Sequence, residues 1–308
     1  MAANLLERTP QTGRSALASL GKVVVTDLDR VDTYPTLSET TVRVLEMVNK
    51  ADVSVAEVAR IVRNDGVIAA AVLRVANSCA IRGARVIEEV QQAVLRMGLS
   101  ECCKLLSSMG VKNVYNRCGA VVQERCDTIL RHSLFVARLA SGISKDTGVS
   151  SPGVAFTAGL LHDIGRVVAA VKCPDAPGLR ALLTGDEPED VLAVERAHLG
   201  TDHCTIGSDF ATRNKLPESM TRVIRGHHRP ADEDAHRELV ALIAVTERIA
   251  NHVQRVHNIT GYNLVTCPHF PVLSRGWPAA RATAFHKALS NAVVVAMRET
   301  RAMIKACE

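Results

Sequence analysis

The chemistry in this 308-residue chain lies in polar side chains at positions that should be buried. On an α-helix each residue turns about 100°, so a residue's face can be read from its number. Thr128, Ile129, Phe135, Val136, Leu139 and Ile143 all fall within roughly 60° of His132, so that imidazole points along an apolar stripe. His162 and Asp163 close the run 154–164, which is apolar on every side and reads as a central helix. Behind His162 stand Ala155, Ala158 and Gly159, small enough to admit another helix closely. Asp163 has no Lys beside it, and an unpaired buried carboxylate is strongly unfavourable or stays protonated. A bound cation is the expected solution.

The pattern recurs further on. His203 shares a face with Ile206, Gly207 and Phe210; His227 lies between Met220, Val223 and Ile224, with His228 at the stripe's edge. Glu247 shares a face with Val240, Ile243, Ala244 and Ala250. A single inward histidine is usually a core residue satisfied by a backbone carbonyl. Several, with carboxylates, on separate helices point to one or two ions of Fe, Mn, Zn or Ni. By contrast, Arg222, Arg225 and Arg229 fall about 160° from His227 and read as a solvated face. Arg166 and Lys172, just beyond the His-Asp pair, are better placed for an anion, although Arg166 could equally cap a helix C-terminus.

Composition frames these residues. The chain is 47% hydrophobic and 22% charged, enough for a full core, and its apolar residues are chiefly Ala, Val, Leu and Ile. Aromatics make up 3%, too few for base-stacking platforms, and the net charge of +5 is mild, so nucleic acid is not an expected partner. The nine cysteines are odd in number, form no C-x-x-C and sit mostly in apolar runs. They read as free packing residues in a reducing cytoplasm. With no uninterrupted apolar run of membrane-spanning length, no membrane association is expected.

The positioning elements are helices. Residues 1–30 lack a clear period and read as a tail or docked arm. From Thr36 the signals become regular: Ser38 caps a first helix, Ser54 to Glu57 forms a capping box, Asp65-Gly66 is a break, and Gly98 ends a helix before Ser100 caps the next. Helices then follow at about 124–145, 152–164, 177–184, 188–199, 202–214, 217–229, 236–256 and 280–305, with a long loop over 261–278. The chain is expected to be all-α: a compact N-terminal bundle, 31–118, packed on a second helical unit, 119–308.

Leu160-Leu161-His162-Asp163-Ile164-Gly165, preceded by His132, resembles the HD superfamily of metal-dependent phosphohydrolases. The closer resemblance is to the HDOD group, the HD-related output domain of bacterial signalling proteins. It rests on Thr36-Leu37-Ser38, on Arg63 to Gly66 followed by Val72 to Ser78, on Ala93 to Gly98, and on His203 with Gly207. Leu216-Pro217 leading to His227-His228 completes it, over about 34–230 with a looser fit to 251.

The resemblance implies a first metal held by His132, His162 and Asp163, with Asp163 the catalytic carboxylate if the chain is an enzyme. Glu247 stands where the superfamily's distal Asp is expected, and His203, His227 and His228 match the positions that add a second metal. The Gly-Tyr-Pro motif of the cyclic-di-GMP phosphodiesterase branch is missing: Arg229-Pro230 follows His228, and Gly261-Tyr262-Asn263 lacks the proline. The implied function is a cytoplasmic signalling output or scaffold acting on protein partners, with a metal-dependent phosphohydrolase acting on a nucleotide as the alternative.

Overall fold

The computed structural model describes residues 35–47, 53–78, 86–116, 120–172 and 190–307. The expected N-terminal arm, the helix at 177–184, and Cys79, Cys118 and Cys173 lie outside them. The described chain is helical, with no β-strand.

The first group of helices is α1 (Glu39–Met47), α2 (Val55–Arg63), α3 (Gly66–Ala76), α4 (Val90–Met97) and α5 (Leu99–Tyr115). Local chemistry sets most of their starts. Ser38 Oγ accepts from Thr41 N–H, Ser54 Oγ from Glu57 N–H, and Glu89 from Gln91 and Gln92 N–H. Asp65 does more than break the chain: its carboxylate caps α3 through Val67 and Ile68 N–H. Ser100 does not cap α5. The turn is made by Gly98 at φ 81°, a left-handed value open to glycine, and Ser100 already lies inside the helix.

The second group holds α6 (Ala120–Thr147), α7 (Pro152–Leu161), α8 (Ile164–Lys172), α9 (Val191–Leu199), α10 (His203–Arg213), α11 (Glu218–Gly226) and α12 (Arg237–Val256). Beyond them come α13 (Phe270–Leu273) and α14 (Ala279–Cys307). Two expectations are corrected. The helix over 152–164 ends at Leu161, and the chain turns at His162-Asp163 before α8 begins. The 261–278 stretch contains a 3-10 turn, Leu264–Thr266, and α13.

One continuous hydrophobic core runs from Leu37 to Ala306 and joins the two groups. Helix α5 packs on α1 as well as on α7, and α14 runs along α6 and α5. Arg138 on α6 ties this junction: it binds Glu101 on α5 at 2.7 Å and Glu299 on α14 at 3.3 Å, and lies over the Phe156 ring of α7. Residues 152–172 have the length and hydropathy of a membrane span, but 89% of their most apolar window is buried inside the protein.

Two close helix contacts fix the centre. A Cβ on Gly159 would stand 2.7 Å from the backbone of Ala137, so α7 crosses α6 at backbone distance. A Cβ on Gly165 would collide with the His203 carbonyl oxygen, so α8 meets α10 the same way, with Gly207 opposite. These contacts bring His132, His162 and His203, from separate helical segments, to one point.

Candidate metal centre

The turn between α7 and α8 places His162 and Asp163, α6 supplies His132, and α10 begins with His203 and Cys204. His227 and His228 follow the end of α11, and α12 contributes Glu247. All seven metal-ligand candidates read from the sequence therefore converge. With Cys204 added, their ligand atoms form two groups, within each of which the atoms lie no more than 4.8 Å apart: His132, His162, Asp163 and Glu247, and His203, Cys204, His227 and His228. Ligands of one ion with bonds near 2.1 Å stand roughly 3–4 Å apart, so each group lies within a small side-chain adjustment of a coordination sphere.

The imidazoles are oriented by their outer nitrogens. Nδ1–H of His162 donates to the Gly159 carbonyl at 2.8 Å, and that of His132 to Gln254 Oε1 at 3.1 Å. Nδ1–H of His203 donates to Glu195 Oε2 at 2.6 Å, and that of His227 to the Val223 and Ile224 carbonyls at 3.1 Å. With every outer nitrogen donating, the four Nε2 atoms face inward. His203 Nε2 lies 3.3 Å from His227 Nε2 and 3.1 Å from His228 Nε2. His162 Nε2 is buried with no hydrogen-bond partner, the state expected of a nitrogen built to coordinate.

Asp163 sits between the two groups. Its Oδ2 is 3.5 Å from His162 Nε2, and its Oδ1 is 3.5 Å from His203 Nε2 and 3.8 Å from His227 Nε2. Glu247, grouped with His132 and His162, also lies 4.0 Å from His227 Nε2 and 3.7 Å from His228 Nε2. The expectation that Asp163 lacks a cationic partner is corrected: Arg166 Nε donates to its Oδ1 at 2.9 Å, and both side chains are buried. Arg166 thus serves this carboxylate. Lys172 closes α8 about 9 Å further along the axis.

Electrostatics suits coordination. Burial, only partly offset by Asp163, brings the His162 pKa down to about 4. Burial and the neighbouring imidazoles lower His227 and His228 as well, so these three rings are neutral near pH 7. Burial opposes charge on Asp163, yet Arg166 and the surrounding histidines hold its carboxyl well below the usual range. Burial likewise opposes charge on His203, but Cys204 and Glu195 carry its pKa upward. Neutral imidazoles and ionised carboxylates are the forms that bind metal.

Three contributors escape a reading from residue types alone. Glu195 anchors both the Nδ1–H and the backbone N–H of His203. Its signal was an acid on a helix otherwise buried through Val191, Leu192 and Leu199. Gln254 lies two turns beyond Glu247 on the same face of α12. Cys204, grouped by the sequence with the packing cysteines, has its sulfur 3.5 Å from His203 Nε2. All described cysteines are free, and Arg222, Arg225 and Arg229 are exposed, as a solvated face requires.

An all-α fold closing on a buried histidine–carboxylate centre defines the class. The chain belongs to the HDOD domain family, whose sequence model matches residues 34–230. Its fold is shared with an HDOD domain protein of Geobacter sulfurreducens, at 22% identity and a TM-score of 0.68 over 92% of this chain and 95% of that one. A Marinobacter aquaeolei protein, provisionally named for signal transduction, superposes at 18% identity and a TM-score of 0.65 over 95% of this chain and 63% of its own. A provisionally named phosphohydrolase of Shewanella amazonensis does so at 21% identity and 0.62, over 88% and 96%. An uncharacterised protein of Treponema pallidum is 25% identical over 227 residues, 72% of this chain and 43% of its own length. The chain thus spans less than half of that relative.

Proposed function

We propose that this HDOD protein is a bacterial signal-transduction output or scaffold, regulatory in role, whose centre binds a divalent transition metal as a structural or sensory element. The observation that carries this reading is the closure of the centre. His162, His203 and His227 are at most 1% exposed, and Asp163 and Glu247 at most 3%. A metal so enclosed holds α6, α8, α10, α11 and α12 together, and its loading state is transmitted through their packing. Partner surfaces fall to the N-terminal subdomain, 31–118, and to the 1–30 arm, with 119–308 as the metal-bearing unit. The free cysteines support a reducing, cytoplasmic setting.

A metal-dependent phosphohydrolase acting on a nucleotide is the second reading, favoured by one observation: Asp163 and Glu247 stand between two adjacent ligand groups, an arrangement suited to a pair of ions. A bound ion would supply Lewis acidity and activate water there. The residues available to hold it are His132, His162, Asp163 and Glu247 on one side and His203, His227 and His228 on the other, with Asp163 as the candidate catalytic carboxylate. Arg166 and Lys172 are the candidate contacts for a substrate anion.

Metal analysis of protein purified without chelator, beside an H162A/D163A double variant, tests both readings. Stoichiometric metal in the parent that is lost in the variant, with no turnover of a panel of linear and cyclic nucleotides, is the expected result. Metal-dependent turnover of a nucleotide establishes the second reading. Parent protein without metal, whose stability survives the double substitution, excludes a metal role altogether.

A further inference from the structure

Cys204 is 4% exposed at the second position of α10, directly after His203. It stands apart from the main core, in a small apolar cluster with Val191 and Leu192 of α9. Its sulfur lies 3.5 Å from His203 Nε2 and 4.0 Å from His227 Nδ1, both on rings of the metal centre. His203 Nε2 is thereby met by three candidate ligand atoms: Cys204 Sγ at 3.5 Å, His227 Nε2 at 3.3 Å and His228 Nε2 at 3.1 Å. A ring nitrogen carries either one proton or one lone pair, so hydrogen bonding accounts for only one of these contacts.

The three distances are those between ligands of one zinc ion. Zn–N bonds of about 2.0–2.1 Å and a Zn–S bond of about 2.3 Å, set at tetrahedral angles, put nitrogen about 3.3 Å from nitrogen and about 3.6 Å from sulfur. The contacts at His203 Nε2 therefore reproduce three edges of such a tetrahedron. Asp163 Oδ1 also lies 3.5 Å from His203 Nε2, but that oxygen accepts from Arg166 Nε at 2.9 Å. The other oxygen of Asp163 turns to His162, at 3.5 Å, and its carboxylate groups with His132 and His162. His228 is the least buried of the four residues and gives the group a side open to an entering ion.

We propose that His203, Cys204, His227 and His228 form a zinc site in which the Cys204 thiolate is the fourth ligand. This rests on the metal-binding reading above and gives the two ligand groups different chemistry. One sulfur and three nitrogens make a soft tetrahedral set that selects zinc, whereas His132, His162, Asp163 and Glu247 make a harder set suited to manganese or iron. Burial raises the Cys204 thiol pKa, so the sulfur keeps its proton until metal arrives. Coordination then breaks the S–H bond, gives a sulfur lone pair to the ion and releases the proton to solvent, and a proton on His203 Nε2 leaves the same way. With four protein ligands the site keeps no position for water, and it ties α10 to the end of α11.

Cobalt(II) titration of the chelator-stripped full chain, followed by zinc, tests the proposal, beside X-ray absorption of the parent loaded with a single equivalent of zinc. A thiolate-to-cobalt charge-transfer band with tetrahedral ligand-field bands is expected, and added zinc should abolish it. The zinc in the parent should show sulfur as well as nitrogen neighbours, a readout that does not depend on any variant folding. Cys204→Ala should lose the band and bind zinc about a hundredfold more weakly, one ligand's share of the affinity of a four-ligand structural site, while manganese uptake by the first group is unchanged. Metal bound with neither a sulfur neighbour nor a thiolate band overturns the proposal and leaves the metal-binding reading standing. A band that survives Cys204→Ala does the same, by placing the thiolate elsewhere. A chain that takes up neither cobalt nor zinc overturns both.

Discussion

Asp163 and Arg166 form a buried ion pair at the point where two ligand groups meet: Arg166 Nε stands 2.9 Å from Asp163 Oδ1, and neither side chain is more than 4% exposed. The pair lets a carboxylate exist charged in the core before any metal arrives. It also places a guanidinium in competition with an ion for one of the two oxygens. Removing one member of such a pair strands the other charge, which typically costs about 3–5 kcal/mol. Arg166→Met is therefore expected to destabilise the metal-free protein by about that amount, read as a lowered urea midpoint. Added zinc or manganese should then raise the melting temperature of the variant more than that of the parent. Equal metal-induced gains in the two proteins would show that Arg166 does not stand in for the ion.

Glu195 is the outer support of the second group. Its carboxylate accepts from both His203 Nδ1–H and the His203 backbone N–H, fixing the tautomer that turns Nε2 inward. Glu195→Gln keeps the shape and removes the charge. Changes of this kind behind a ligating histidine typically lower metal affinity about 10–100-fold. Competition with a chromophoric chelator should show one class of ion weakened by that factor, while the group around His132 and His162 keeps its affinity. A variant that binds both classes as the parent does would assign Glu195 to packing alone.

The Gly165–His203 contact converts helix packing into site geometry. Gly165→Ala places a methyl group against the His203 carbonyl, and overpacking of this kind costs about 1–3 kcal/mol. Stability and metal content should fall together, because α10 must move and His203 moves with it. Gly142→Ala is the control: it is interior to α6 with open space around it, and should stabilise by about 0.5–1 kcal/mol with metal content unchanged.

The helical framework was readable because period and punctuation agreed. Ser38, Ser54 and Gly98 sit where starts and stops are needed, and inward histidines stood out against Ala- and Val-rich faces. What escaped detection depended on distances between segments. Gly165 reads as the stop of a helix over 152–164, yet it is the second residue of α8, where it admits α10, so the break at His162-Asp163 and α8 itself have no mark of their own in the sequence. Helix α13, four residues long, is too short to show a period. Asp163 looked unpaired because its partner was sought as an adjacent Lys and is an Arg three residues on. Glu195 and Cys204 gain their roles only from the approach of α9 and of the α11 terminus to α10.

The junction of the two helical groups titrates at acid pH. Burial works against charge on Glu101, but Arg138 and Lys104 outweigh it and bring its pKa down to about 2 from an ordinary value of 4.5. A carboxyl whose pKa is lower in the folded than in the unfolded chain binds fewer protons when folded. Its contribution is thus complete above about pH 4.5 and is lost progressively as the pH falls toward about 2. The Glu101 side chain is 43% exposed, so solvent screening makes the gain smaller than the shift alone would imply. Urea midpoints of the parent and of Glu101→Gln should therefore differ at pH 6, with the parent the more stable, and converge as the pH approaches 2. Glu299, which shares Arg138 at 3.3 Å, keeps that guanidinium paired in the variant, so the fold survives the substitution and the comparison stays two-sided. A difference between the two proteins that persists unchanged down to pH 2 would place the effect of Glu101 in packing, outside the ion-pair network.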